Sequence, residues 1–337
     1  MKAVVQRRYG LPRDVYSLDE VERPAPKQGQ VLVEVRAASV HADVWHMATG
    51  RPFMLRFMGG GFLRPRVETP GTDMAGVVVE VGLGVNSVSV GDRVFGETIK
   101  GIQWKNGGAF AEFVAVDAAE VRAIPEDVSF EAAASVPTTG LIAWRTMTVE
   151  GRLQPGDNVL INGAGGAVGT VALQVAKARG ARVVAVDSAE KLSLLRELGA
   201  DNTVDYRTED FTASGEAYDV PYDIPGNRSF EDLKRVVKPG GRYVLIGHDD
   251  YGGKGGRVFG SAVPKYIRIA ARRPFGTPAD VELIKSDDPL GELARMLEDG
   301  DLTPPIAGVF SMDNVVEAME ALASGTLQGK IVITPAG

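Results

Sequence analysis

The sequence predicts an α/β protein in which a doubly wound parallel sheet stands beside a second, mostly antiparallel β domain. Three observations predict it. Fully apolar strands alternate with helices between Asn158 and Ile246, the pattern of a parallel sheet covered on both faces. Short β-type runs broken by Gly and Pro fill the stretch from Met1 to about Ile124. A glycine cluster (Gly163, Gly166 and Gly169) lies where the first apolar strand gives way to an amphipathic helix.

The β-rich stretch contains Lys2–Gln6, Gln30–Ala38, Gly76–Val81, Arg93–Phe95 and Ala111–Val116, separated by turn signals such as Lys27-Gln-Gly29 and Val90-Gly-Asp-Arg93. After Pro125 the pattern turns helical over Ser129–Ser135 and Thr139–Glu150. The strand Asn158–Asn162 then leads to a helix over Val168–Arg179, and the strand Arg182–Val186 to a helix over Ala189–Leu198. Asn202–Asp205 is a short third strand, and a helix over Phe230–Val237 precedes the strand Arg242–Ile246. A helix over Asp280–Glu298, the strand pair Val309-Phe310, a helix over Met312–Ala323 and the strand Lys330–Thr334 follow. The expected division is one discontinuous domain, 1–124 with 280–337, and a second over 125–279. One segment resists: Tyr218–Gly226 occupies the place of an inner strand yet holds Pro221 and Pro225, and proline cannot donate to a ladder. That strand is either bent at its end or shorter than its neighbours.

A chain of 337 residues, 44% hydrophobic and 24% charged, fits a globular protein of two domains. No run approaches the roughly 18 apolar residues of a membrane span, and the opening MKAVVQRRYG reads as a first strand, so cytoplasm is the expected compartment. A net charge of −7 argues against nucleic acid or a membrane surface as partner and leaves a small-molecule substrate. Cysteine is absent, which excludes disulfides, thiolate zinc sites and a cysteine nucleophile. His41, Asp43, His46 and Asp73 show no ligand spacing, so no metal is expected and these residues read as local hydrogen-bonding groups.

The glycines carry the clearest chemistry. Glycine is needed where a chain turns sharply off a strand, where backbone approaches a diphosphate, and where a helix packs closely on a sheet. The helix N-terminus then offers unpaired N–H groups to an anion. Gly163, Ala164, Gly165, Gly166, Ala167 and Val168 are therefore expected to hold a dinucleotide. Asp187 ends the next strand 18 residues after Gly169, placed for ribose hydroxyls and favouring NAD(H). Ser188 and Lys191, with Tyr206, suit the extra phosphate of NADP(H), while Glu190 opposes it, so both cofactors stay open.

Together these features resemble the medium-chain dehydrogenase/reductase superfamily, in particular its zinc-free quinone oxidoreductase-like branch. The resemblance runs through Gly29–Glu34, Ala37–Val40, Pro70–Gly76, Val90–Phe95, Gly108–Glu112, Ala132–Pro137, the glycine unit, Leu198–Asp201, Lys238–Gly241 and Gly329–Ile333. It implies a GroES-like catalytic domain formed by both chain ends, a Rossmann domain inserted between them, and a cleft between the two. Zinc-dependent relatives carry Cys and His ligands where this chain has Ser39 and Thr72. With no metal to stabilise an alkoxide, the favoured substrates are quinones and α,β-unsaturated carbonyls, which spread the developing charge. The resemblance further implies that His41, Trp45 and Thr139 lie beside the nicotinamide, with Gly247 and His248 after Ile246. Lys330 faces the cleft in that family, although on general grounds a lysine there is a surface residue, and Pro225 replaces a residue usually beside the cofactor. His41 would either donate a hydrogen bond to the reduced oxygen or hold a backbone turn, and Trp45 is more often packing. Two alternatives accompany the quinone or enone reductase: a zinc-free alcohol or carbonyl dehydrogenase, and a catalytically silent nucleotide-binding protein with a structural or regulatory role. A homodimer is a further implication. Arg51–Arg66 reads as a substrate lid, and Lys265–Arg273 as a packed helix or subunit contact.

Overall fold

The structure is a computed structural model of the chain and describes residues 1–99, 106–246, 286 and 288–335. Strands β1 (Lys2–Gln6) and β2 (Tyr16–Glu20) pair antiparallel. They are followed by β3 (Gln30–Val40), β4 (Asp73–Val81), β5 (Arg93–Glu97), β6 (Phe113–Asp117) and β7 (Val121–Ala123). Next come β8 (Asn158–Asn162), β9 (Arg182–Asp187), β10 (Asn202–Asp205), β11 (Val220–Asp223) and β12 (Val244–Leu245), then β13 (Ile306–Ser311) and β14 (Lys330–Thr334).

Strands β8 to β12 form a parallel sheet in the order β10-β9-β8-β11-β12, so the strand order reverses between β8 and β11. Ligands of doubly wound sheets bind outside the carboxyl ends of the strands at that reversal. Here Asn162 and Asp223 mark it, joined by a 2.9 Å hydrogen bond from the Asn162 amide. The other large sheet is mixed, in the order β13-β14-β3-β4-β5-β7, with β6 also on β3. Its strands come from both ends of the chain.

One core runs under both sheets. Ala37, Ala75, Phe95 and Val332 of the mixed sheet share it with Val159, Ile161, Val220 and Tyr222 of the parallel sheet. The helix Pro137–Arg145 joins them: Pro137 opens it at a position that needs no N–H, and Ala143 and Trp144 enter the core. The helix Ala167–Ala178 packs beside it, and the Gln174 side chain ties that helix to Thr303 through bonds of 2.7 and 3.2 Å. Leu160 points to the opposite face of the parallel sheet, into a smaller cluster with Val186, Phe211, Tyr218 and Val236. Burial on both faces explains why Asn158–Asn162 reads as an uninterrupted apolar run.

Several boundaries are corrected. The helix expected over Thr139–Glu150 begins at Pro137, ends at Arg145 and continues as a wider π turn over Thr146–Glu150. The helix expected over Ala189–Leu198 is a 3-10 turn, Ala189–Lys191, followed by Leu192–Glu197. Of the helix expected over Asp280–Glu298, the described part is Pro289–Glu298, whose first turn is capped by Asp288. The troublesome strand is short: β11 has four residues, and β12 runs in register with it only at Tyr222 and Asp223. Pro221 therefore has a ladder partner in register on one side alone, where its missing N–H costs least.

Candidate functional site

The end of β8 gives each glycine a separate task. Gly163 has φ +82°, a left-handed turn off the strand, and a Cβ there would lie 2.9 Å from Pro225 Cδ. The N–H groups of Gly163 and Ala164 donate to the Val186 carbonyl at 2.9 and 3.1 Å, which fixes the loop against β9. A Cβ on Gly169 would sit 2.4 Å from the Gly163 carbonyl oxygen, so this glycine permits the close approach of helix and strand. Gly166 caps the helix Ala167–Ala178 without a side chain to bond its first N–H groups. Gly166, Ala167 and Val168 are also half-exposed. A twelve-residue helix with free first-turn N–H groups at the strand reversal is a fit for a diphosphate.

Asp187, Ser188, Lys191 and Tyr206 gather at the end of β9. The buried Asp187 carboxylate accepts from the N–H groups of Gly165 (2.8 Å) and Ser188 (2.9 Å), and Lys191 Nζ lies 3.6 Å away. Lys191 Nζ also donates to the Gly325 carbonyl at 3.4 Å. The Tyr206 ring is 44% exposed, while its N–H donates to the Asp187 carbonyl. Glu190 turns to solvent and pairs with Arg207 at 2.6 Å. Hydrogen bonds, first from its own backbone N–H and then from Arg207 and Ser188, hold the Glu190 carboxyl down at about 2. The Gln328 amide donates to the Glu190 carbonyl at 2.9 Å, so the loop before β14 reaches the nucleotide end at two points. Gly247 and His248 lie outside the described residues, as does Lys265–Arg273.

Two residues past Gln328, a second polar group is assembled by sheet register. Ser39 on β3 stands opposite Asp73 on β4, and Asp73 stands opposite Glu97 on β5. Lys330 opens β14, which pairs with the end of β3. Asp73 is fully buried and accepts from Ser39 Oγ at 2.9 Å and from Lys330 Nζ at 3.3 Å on one oxygen. Its other oxygen bonds the Thr138 hydroxyl. Thr138 Oγ1 is also 3.2 Å from Glu97 Oε2. His41 Nε2 lies 2.7 Å from Thr72 Oγ1, and Thr72 Oγ1 lies 3.5 Å from Asp73.

The electrostatics follow from that packing. Burial alone would push the Asp73 carboxyl up, but the Lys330 ammonium, His41 and the Thr138 and Ser39 hydroxyls outweigh it and hold it below the usual range. Burial lowers Lys330, opposed by Asp73. Glu97 is pushed up to about 8 by burial and by the neighbouring Asp73 charge.

Of the residues expected beside the nicotinamide, His41 enters this group and is 5% exposed. Lys330 enters it too, and the general expectation of a surface lysine is corrected, because Lys330 is 2% exposed and ion-paired. Thr139 does not: its hydroxyl bonds back to the Ser135 carbonyl at 3.0 Å. Trp45 packs into the core of the mixed sheet and edges a cavity of about 470 Å³ with Leu11, Arg13 and Ser324. His46 points elsewhere, its Nδ1 2.7 Å from the Arg51 carbonyl oxygen. Among the described residues, no three His, Asp or Glu side chains are arranged to hold a metal ion. In the Arg51–Arg66 segment, Phe53 meets Phe57 and Phe62 in T-shaped contacts and Phe57 lies tilted against Phe62, with Phe57 67% exposed. Tyr9 pins the segment by donating to the Gly61 carbonyl at 2.6 Å. No described helix is long and apolar enough to cross a membrane.

Thr138 and Glu97 were not singled out in the sequence, and Asp73 was read there only as a local hydrogen-bonding group. The one local signal was the Thr138-Thr139 pair, of which Thr138 is the member that joins the Asp73 group.

Two protein families match this chain: the alcohol dehydrogenase GroES-like domain over residues 27–126 and zinc-binding dehydrogenase over residues 198–333. The 2-methylene-furan-3-one reductase of Solanum lycopersicum is 33% identical, the match covering 99% of this chain and 79% of that protein. The chloroplastic NADPH-dependent alkenal/one oxidoreductase of Arabidopsis thaliana is 31% identical, with 99% and 80% covered. The solved quinone oxidoreductase from Coxiella burnetii superposes with a TM-score of 0.82 at 26% identity, covering 100% of this chain and 99% of its own.

Proposed function

Because this chain belongs to the medium-chain dehydrogenase/reductase superfamily, in its quinone oxidoreductase-like branch, we propose that it reduces quinones or α,β-unsaturated carbonyl compounds with NAD(P)H and without zinc. The metal-free part rests on one observation. Where zinc-dependent relatives carry thiolate and imidazole ligands, this chain presents the Ser39 and Thr72 hydroxyls, with the Lys330 ammonium 3.3 Å from Asp73. Hydroxyls and an ammonium are poor company for a zinc ion, which takes thiolate, imidazole and carboxylate donors.

The first-turn N–H groups of Ala167 and Val168, with the Gly163–Gly166 loop, would hold the diphosphate, and Asp187, Ser188, Lys191 and Tyr206 the adenosine ribose. A bound nicotinamide cofactor supplies the hydride. The loop of Gly247 and His248 and the side chains of Trp45 and Thr139 are the proposed walls of the nicotinamide pocket. His41 is the proposed proton donor to the reduced substrate, its buried Nδ1 having no hydrogen-bond partner among the described residues. A conjugated acceptor needs only this modest help, since it delocalises the negative charge that hydride transfer creates.

The test is oxidation of NADPH and NADH by chelator-treated protein, with phenanthrenequinone and with 3-buten-2-one. Turnover of either acceptor supports the assignment, and the ratio of kcat/KM for the two cofactors reads the role of Asp187 and Lys191. Bound cofactor without turnover of either acceptor refutes it.

A further inference from the structure

Glu97 stands in no expected role, yet it is tied to the candidate site by one side chain. Thr138 has a single hydroxyl proton and two carboxyl neighbours, Asp73 Oδ1 in a very close bond and Glu97 Oε2 at 3.2 Å. A hydroxyl donates once. Asp73 is held by Ser39, Lys330 and the Thr138 N–H group in addition, the set of donors that an ionised carboxylate collects. The Thr138 proton therefore goes to Asp73, and Glu97 must bring its own proton to make the second contact. From Asp73 the chain continues through Thr72 to Nε2 of His41. The imidazole is 5% exposed, and its far nitrogen, Nδ1, lies 3.5 Å from Asp43 and has no hydrogen-bond partner among the described residues.

We propose that Glu97 is the proton reservoir of the reduction, a positioning residue that feeds His41 through Thr138, Asp73 and Thr72. This rests on the reductase reading above. When hydride forms the new C–H bond at the β-carbon of an enone, the C=C pair moves to give an enolate. One proton then leaves His41 Nδ1 to form the second new bond on the substrate. In one concerted shift Thr138 passes its hydroxyl proton to the Asp73 carboxylate as it takes one from Glu97, Asp73 hands a proton on to Thr72 from the same oxygen, and Thr72 gives its own to His41 Nε2. The Glu97 O–H bond breaks in that same shift, and the carboxylate left behind regains its proton from water, which its partly exposed position allows. Among the described residues, the charged groups that act on Glu97 are Asp73 from β4, Glu120 from the turn before β7 and Asp43 from the helix Ala42–Thr49, all of them acidic. They hold its proton at neutral pH and resist its loss until the substrate anion draws it.

The experiment is the pH profile of kcat for NADPH with 3-buten-2-one, in the wild type, Glu97→Gln, Thr138→Val and Thr138→Ser. Glutamine keeps the contact to Thr138 but cannot release a proton. For Glu97→Gln we expect kcat at pH 7 to fall on the order of 10²-fold, with the KM for NADPH within about twofold and the alkaline fall of the wild-type profile absent. Thr138→Val should show the same loss, and Thr138→Ser should restore the rate. Phenanthrenequinone, whose reduced oxygens are protonated rapidly by water, should be affected less than the enone. If the wild type turns over the enone and Glu97→Gln matches it in rate and profile, the reservoir is overturned and the reductase stands. If the wild type turns over neither acceptor, the reductase reading falls and this inference with it.

Discussion

The Lys330–Asp73 pair should be worth more as a pair than either residue is alone. Both side chains are almost fully buried, at 2% and 0% exposure, and their charged atoms lie 3.3 Å apart. At an effective dielectric of about 20, charges at that distance attract by about 5 kcal/mol. Desolvation of both ions offsets much of this, so the net value of the pair is small while the cost of breaking it is large. Lys330→Met leaves Asp73 ionised and buried without its ammonium, held by hydroxyls and the Thr138 N–H, and Asp73→Asn leaves a buried ammonium without its paired carboxylate. Each should lower stability by about 3–5 kcal/mol. The double variant carries neither charge and should cost no more than about 2 kcal/mol, giving a coupling energy of at least about 4 kcal/mol. Urea denaturation of the four proteins at pH 7 measures it. The sign with pH is fixed as well. The Asp73 carboxyl is held below its ordinary 3.8, so its stabilisation is present above that pH and is lost as pH falls through the folded value. Additive single effects, with a coupling below about 0.5 kcal/mol, would refute the view that the two charges are paired in a dry site.

Gly169→Ala should weaken NAD(P)H binding at least about tenfold and cost about 1–3 kcal/mol of stability, because its Cβ would meet the Gly163 carbonyl at 2.4 Å; unchanged cofactor titration would count against the close packing. Asp187→Asn keeps an acceptor for the Gly165 N–H and removes a charge, so the kcat/KM ratio of NADPH to NADH should rise by at least about tenfold, and a constant ratio would remove Asp187 from cofactor choice. Glu97 is held at about 8, above its ordinary 4.5, so its contribution to stability is complete below 4.5 and is lost as pH rises to about 8. Over that window the wild type should lose up to about 5 kcal/mol that Glu97→Gln keeps, and parallel stability curves for the two would contradict it.

The parts of this molecule that were legible in the sequence are those where backbone geometry dictates residue type over a short span. Gly163 turns with a positive φ, Gly169 admits a backbone oxygen, and the apolar runs of β8 and β9 report burial on both faces. Each demand is local. The polar group is different, because Ser39, Asp73, Glu97 and Lys330 meet only through the register of four strands that are far apart in sequence. No spacing rule announces that. Thr138 was missed through a boundary error of two residues: a helix starting at Pro137 rather than Thr139 turns Thr138 toward Asp73 and Thr139 back onto Ser135. Lys330 defied the general tendency of lysine to be exposed because a buried carboxylate stands beside it.

That group also constrains what the site can reduce. Its ionised members, the Lys330 ammonium and the Asp73 carboxylate, cancel, and Glu97 stays neutral by sharing Thr138 with Asp73. A buried Lys330–Asp73–Glu97 group whose charges cancel offers little to an alkoxide, whose full charge sits on one oxygen and needs a cation or several strong donors. An enolate or a semi-reduced quinone carries the same charge over several atoms, and the proposed His41 donor would suffice to resolve it. The preference for conjugated acceptors then comes from the sheet register itself, since the pairing of Ser39 with Asp73 and Asp73 with Glu97 brings together side chains whose charges balance without a metal.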